Sequence, residues 1–194
     1  MADLQTLQQQ LAAFLPAADN NWETFERILR PVNFKAGDYL ASSGKVADAI
    51  YYITEGIVRV FTRHQETEIS MDFAFPGMFT TSYASLITQT PAVVNLQAVT
   101  AVSGYAFYYP DLQQLYQVSH AAERTGRIIA EQQYLRKYRR ELSFLQHSAQ
   151  ERYMQLLEEY PAVVQHIPIK QIASYLGIKP ESLSRIRKNL RNAD

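Results

Sequence analysis

The chain has no cysteine among its 194 residues. Disulfides, thiolate metal sites, iron–sulfur clusters and thiol redox switches are therefore excluded within it. Long hydrophobic runs are missing too: none approaches the roughly 20 apolar residues of a membrane-spanning helix. The opening residues, MADLQTLQQQLAAF, carry no basic residue ahead of their apolar positions, unlike a secretory signal. The expectation is a cytoplasmic protein with no membrane partner. An excess of one charge is also absent. Nineteen basic residues face nineteen acidic ones, so the chain as a whole is no polycation. The four histidines, His64, His120, His147 and His166, are scattered, and none has a partner at metal-ligand spacing. A His-x-His cluster, a Gly-x-Ser-x-Gly elbow, a phosphate-binding glycine loop and a paired-acid motif are all lacking. No metal, no cofactor and no catalysis are expected.

What the chain does hold is apolar and aromatic. Hydrophobic residues make up 47% of it, with 13 Tyr and 9 Phe, enough for an ordinary core and suited to an aromatic-rich β-domain. Residues 3–15 read as a helix through Leu4, Leu7, Leu11 and Phe14. Asn20 or Asn21 is expected to cap a second helix through Trp22, Phe25, Ile28 and Leu29, ended by Pro31. Short apolar runs follow at 33–34, 39–41, 49–53, 57–62, 69–75, 93–98 and 103–109. Gly37, Gly44, Gly56 and Gly77 punctuate them as turn residues do. This predicts an all-β unit of about 75 residues, a sandwich-like roll.

After Pro110 the pattern turns helical. A short helix over 111–118 precedes a long one over 119–146. Ile128, Leu135 and Leu142 recur every seven residues in the long helix, with Tyr138 and Leu145 between them. That seam is suited to pairing with an identical helix, so a homodimer is expected. The alternative is a stripe that packs on the β-domain. Ser148 is placed to cap a further helix over 149–160, ended by Pro161.

The last stretch, IPIKQIASYLGIKPESLSRIRKNL, reads as two short helices joined by a tight turn at Gly177. Ile172, Leu176, Leu183 and Ile186 fall where each helix buries one side. Ala173 is small enough for a close crossing, and Pro180 opens the second helix. This is a helix-turn-helix pattern with a recognition helix over 180–190. Residues 167–194 hold six basic and two acidic side chains, so they carry +4 while residues 1–166 carry −4. A basic terminal segment on a neutral chain points to a local phosphate-facing surface and to double-stranded DNA as partner. Glu181 and Arg185 lie four apart on one helical face. Ser182 and Lys179 are expected to add base or phosphate contacts, and Arg187 and Lys188 phosphate contacts. The competing reading of Glu181 and Arg185 is a surface ion pair.

In this order the parts resemble the Crp/Fnr family of bacterial transcription regulators. The roll match rests on KAGDYLASSGKVADAIYYITEGIVRVF. The C-terminal match, ERYMQLLEEYP and IASYLGIKPESLSRIRKNL, is nearest the regulators of Bacteroidetes-type bacteria. The resemblance implies an α+β fold with a cyclic-nucleotide-binding-like β-roll, a long dimerisation helix and a C-terminal helix-turn-helix, winged-helix-like with a reduced wing. The domains are expected at 1–118, 119–146 and 147–194. In the family the positions of Glu181 and Arg185 meet base edges.

The resemblance breaks where the family holds its nucleotide. Family members that bind a cyclic nucleotide have Gly-Glu and then Arg-Ser or Arg-Thr in their phosphate cassette. Here Thr81 and Ser82 replace the first pair, and Ala92 and Val93 the second. Neither position supplies the charge that a partly buried phosphate needs. No tight cyclic AMP binding is expected. Thr80, Thr81, Ser82 and Tyr83 remain candidates to line a neutral polar pocket, beside a reading in which the roll has lost its ligand. The residues name no effector. The alternative function is a small-molecule-sensing or protein-interaction roll whose helix-turn-helix reads no sequence.

Overall fold

The structure is a computed structural model that describes residues 2–14, 22–161 and 163–191. Eight strands form two four-stranded antiparallel sheets. The first sheet holds β1 (Leu29–Phe34), β8 (Val102–Tyr108), β3 (Ala49–Glu55) and β6 (Phe79–Thr80), in that order. The second holds β2 (Tyr39–Ala41), β7 (Asn95–Ala98), β4 (Val58–His64) and β5 (Thr67–Ala74). Period-two alternation sends Tyr51, Ile53, Val58, Val60, Leu96 and Ala106 between the sheets, where they form the interior of the roll. The Tyr51 hydroxyl, buried there, donates to the Leu40 carbonyl at 2.8 Å, so the one polar group of the filling is satisfied. Gly37, Gly44, Gly56 and Gly77 all have positive φ, in keeping with their turn role.

Nine helices are described. α1 (Ala2–Ala12) and α2 (Trp22–Glu26) precede the roll, and α3 (Tyr83–Thr88) interrupts it between β6 and β7. α4 (Tyr109–Val118) and the 27-residue α5 (His120–Gln146) follow. The Ser119 hydroxyl caps α5 by accepting from the Ala122 N–H at 3.2 Å. α6 (Ala149–Glu159) begins in a reciprocal capping box of Ser148 and Glu151, two otherwise orphaned N–H groups being satisfied together. α7 (Val163–His166), α8 (Ile169–Tyr175) and α9 (Pro180–Arg191) end the described chain.

The expected second helix is corrected at its C-terminal end. Helix α2 stops at Glu26, and Leu29 and Pro31 belong to β1. Pro31 fits there because β1 is an edge strand paired only with β8, and an edge tolerates a residue with no N–H to donate. The expected cap at Asn20 or Asn21 lies outside the described residues. The apolar runs in the sequence carry no sign of the two-residue β6 or of α3.

A second apolar cluster covers the outer face of the first sheet. Leu7 and Leu11 of α1, Phe25 of α2, Leu112 and Leu115 of α4 and Ala122 of α5 pack there on Tyr52, Phe79 and Phe107. A third cluster joins Tyr153 and Leu156 of α6 with Ile172, Ala173 and Leu176 of α8 and its turn and Leu183 of α9, and it includes Ile57, Phe73 and Phe75 of the roll.

Candidate nucleic-acid interface and ligand cavity

Helix α8 ends in a Schellman motif. The Ile178 N–H donates to the Ala173 carbonyl at 3.0 Å and the Gly177 N–H to the Ser174 carbonyl at 3.1 Å, satisfying carbonyls that the helix end would orphan. Gly177 has φ +69°, and a Cβ there would stand 2.8 Å from the Phe144 ring. Glycine is thus required twice, by conformation and by space. Two guanidinium groups bracket that ring, Arg140 at 4.6 Å and Arg152 at 4.5 Å from its centroid. Arg140 donates to the Tyr175 carbonyl at 2.7 Å, and Arg152 to the Leu176 carbonyl at 2.9 Å. Both cations therefore sit at the negative end of α8, where the helix dipole favours them.

This turn aims α9. Leu183 is fully buried, and Ile186 and Leu190 pack against the same cluster. The opposite side of α9 is then fixed by helical period. Glu181, Arg185 and Lys188 are exposed along one stripe, with Lys179 exposed just before it. Ser182 and Arg187 are half-buried at its flanks. No ion pair joins Glu181 to Arg185 among the described residues, whose pairs are Arg59–Glu68, Arg63–Glu68, His120–Glu123, Arg127–Glu131 and Arg136–Asp72. Both side chains are free to meet another molecule.

Helix α8 is held on the roll by polar contacts as well as by the third cluster. The Ser174 hydroxyl accepts from the Ser70 N–H at 2.9 Å and donates to the Glu68 carbonyl oxygen at 3.3 Å. Beneath it Arg59, whose side chain is 3% exposed, pairs with Glu68 at 2.7 Å and donates to the Ser70 hydroxyl at 2.8 Å. Burial acts to raise the Glu68 pKa, but the hydrogen bonds and charges of Arg59 and Arg63 more than offset it, leaving the carboxyl below its ordinary range. No sequence motif singles out Arg59. The available signal is a charged residue in an otherwise apolar strand, VRVF.

The seam of α5 is open. Leu135 is 45% and Tyr138 47% exposed, Ile128 and Leu142 are half-buried, and Leu145 is 78% exposed. Tyr134 and Tyr138 stack at 6.4 Å on the same side. The opposite side of α5 grips the rest of the chain. Gln133 donates to the Phe79 carbonyl, Arg136 to the Asp72 carboxylate and Phe73 carbonyl, and Arg140 to the end of α8.

The candidate effector residues divide. Thr80, Thr81 and Tyr83 line a cavity of about 230 Å³. Ser82 and Ala92 are buried but stand outside that lining, and Val93 is 74% exposed. Most of the wall comes from residues with no place in the sequence-based pocket: Leu11, Phe25, Phe107, Leu112, Tyr116 and Ile129. Of these, Leu11 and Phe25 are expected as apolar positions of helices and Phe107 as part of a strand, and all six belong to the second apolar cluster.

The sequence of residues 31–119 matches the cyclic nucleotide-binding domain family. No curated protein matches the sequence. Among solved structures, FixK2 from Bradyrhizobium japonicum superposes with a TM-score of 0.74 at 15% identity, over 86% of each chain. A transcriptional regulator assigned to the Crp/Fnr family from Eubacterium rectale gives 0.70 at 15% identity, over 94% of this chain and 87% of that one. The c-di-GMP-responsive global regulator CLP of Xanthomonas campestris gives 0.68 at 20%, over 88% and 90%. The chain thus holds a cyclic nucleotide-binding-type domain at residues 31–119, within the overall fold of Crp/Fnr-type transcription regulators.

Proposed function

We propose that the protein is a sequence-specific, DNA-binding transcription regulator that acts as a homodimer and does not respond to cyclic AMP. The observation that carries the reading is the exposed stripe of Glu181, Arg185 and Lys188 on a helix whose other side is pinned by buried Leu183. Arg185 donates two bonds to guanine O6 and N7, and Glu181 accepts from cytosine N4. Lys179, Arg187 and Lys188 meet phosphates, and Ser182 meets a base or a phosphate. Pairing through Ile128, Leu135, Tyr138 and Leu142 spaces two recognition helices by roughly 34 Å, one turn of DNA.

Three features support the silence toward cyclic AMP. The roll interior is packed with apolar side chains and a satisfied tyrosine. Val93 points to solvent. No cation stands at either cassette position. The test is selection from a random duplex library by the full chain. The expected result is enrichment of an inverted repeat with half-sites one turn apart. A flat library at low salt would overturn the reading, since non-specific phosphate binding alone carries no sequence preference.

A further inference from the structure

The cavity of about 230 Å³ does not coincide with the interior of the roll. It runs along α5 over the outer face of the first sheet, under α1, α2 and α4, and crosses the edge strand β6 to reach Val60 and Asp72. Its inner wall is aromatic: Phe25, Phe79 and Phe107. At the end toward the middle of α5 stand Gln133, Tyr134 and Lys137. We propose that this cavity binds a small amphipathic carboxylic acid, with its apolar body on the three phenylalanines and its carboxylate at Lys137.

The walls set the body and the mouth sets the head. The charged groups at the mouth are Asp72, Arg136 and Lys137, and Asp72 is already paired with Arg136 at 2.8 Å. Lys137 has no ion-pair partner among the described residues, so the mouth carries one uncompensated positive charge. That favours one anionic group over a cation. With the Arg136 guanidinium already engaged by Asp72 and the Phe73 carbonyl, a single flexible ammonium suits a carboxylate better than a phosphate. The volume lies below the roughly 300–1,000 Å³ of sites for drug-sized ligands. That volume suits a medium chain or a single aryl ring.

One glycine keeps the cavity as it is. Gly126 lies inside α5, where glycine is a weaker helix former than alanine. A Cβ at Gly126 would clash with the Tyr116 hydroxyl. Both residues line the cavity. Alanine at this position forces the Tyr116 side chain, part of the cavity wall, to shift. The hydroxyl itself stays protonated, because burial, with Tyr83 and Tyr109 nearby, pushes its pKa up to about 12. It remains a donor for a ligand oxygen.

In naming this ligand an effector, the inference rests on the regulator reading above; binding itself does not. The ligand would touch the side of α5 that grips the roll and α8, and at Tyr134 it would border the open seam, where that ring stacks on Tyr138. Occupancy and dimer geometry then act on the same rod.

The test uses decanoate as probe, titrated into the full chain by calorimetry. The emission of Trp22, the sole tryptophan, reports from the cluster that contains Phe25. Decanoate is expected to bind saturably in the micromolar range and to change that emission. Decanol should bind about tenfold more weakly, for want of one charge-assisted hydrogen bond. Lys137→Gln should bring decanoate to the decanol level and leave decanol unchanged. Ala130→Phe, which fills the cavity from α5, should abolish both while circular dichroism keeps the fold. Gly126→Ala should weaken both. Absence of saturable binding, an unchanged affinity in Lys137→Gln, or binding that survives in a folded Ala130→Phe would each overturn the proposal. The assay contains no DNA, so its failure leaves the library selection standing, and a flat library leaves the titration standing.

Discussion

The roll and the C-terminal helices are stabilised in different ways. The roll encloses a core drawn entirely from its own strands and turns. The α8–α9 pair has no such enclosure: its apolar side is completed by α6 and by Ile57, Phe73 and Phe75 of the roll. Polar contacts repeat the pattern. Ser174 is tied to Ser70 and Glu68, and the end of α8 to Arg140 and Arg152. A helix pair of this size buries too little apolar surface to stand alone. The lesson is dependence: whatever shifts the roll or α5 is felt at the base of α9, while the stripe of Glu181, Arg185 and Lys188 stays free.

The comparison breaks most visibly at Phe73, which is 1% exposed in the shared cluster. Phe73→Ala should cost about 3–5 kcal/mol in denaturant unfolding. It should also raise amide exchange across 169–191 more than across the interior strands. Equal protection of α8 and α9 in mutant and parent would show that the pair has a core of its own.

Leu135→Glu sharpens the role of α5. It sets a charge on each side of an apolar seam. The protein should run as a monomer by light scattering, and operator affinity should fall by roughly 10² or more as the half-sites lose their linkage. A persistent dimer would move the interface elsewhere.

Glu68→Ala probes the polar tie. It leaves Arg59 buried without its partner. The cost should be about 2 kcal/mol, less than the roughly 3–5 of a fully buried pair, because the Glu68 side chain is 35% exposed. The lowered pKa of Glu68 fixes the sign with pH. The stabilisation is complete above the unfolded carboxylate value of about 4.3 and is lost as pH falls through the lower folded value. Melts of Glu68→Gln and the parent should therefore differ at pH 7 and converge in acid.

The smallest expected effect is none. Calorimetry with cyclic AMP should show no binding tighter than about 0.1 mM, roughly −5.5 kcal/mol. A micromolar constant would show that the roll interior opens.

Much of this was legible from local chemistry. Gly177, Pro180 and the spacing of Ile172, Leu176, Leu183 and Ile186 placed both terminal helices. Ser119 and Ser148 sit at the two expected helix starts. What escaped was set by neighbours distant in sequence. Pro31 is a strand residue because β1 has one partner, a fact of topology. The two residues of β6 carry too little pattern to show a period. Gly126 reads as a weak point in a long helix until Tyr116 lies against it. The cavity is assembled from several separate elements, and no run of sequence announces such a space.

The claim that α9 reads bases while its buried side anchors it is tested most directly at Arg185. The measurement compares Arg185→Ala and Lys188→Ala with the parent on a selected-site library at several salt concentrations. Arg185→Ala is predicted to lose about 1–3 kcal/mol on the best site and to relax the preference at one base pair per half-site. Lys188→Ala is predicted to weaken all sequences alike and to lower the salt slope by roughly one for each phosphate it no longer neutralises. Full sequence preference retained in Arg185→Ala would contradict the account.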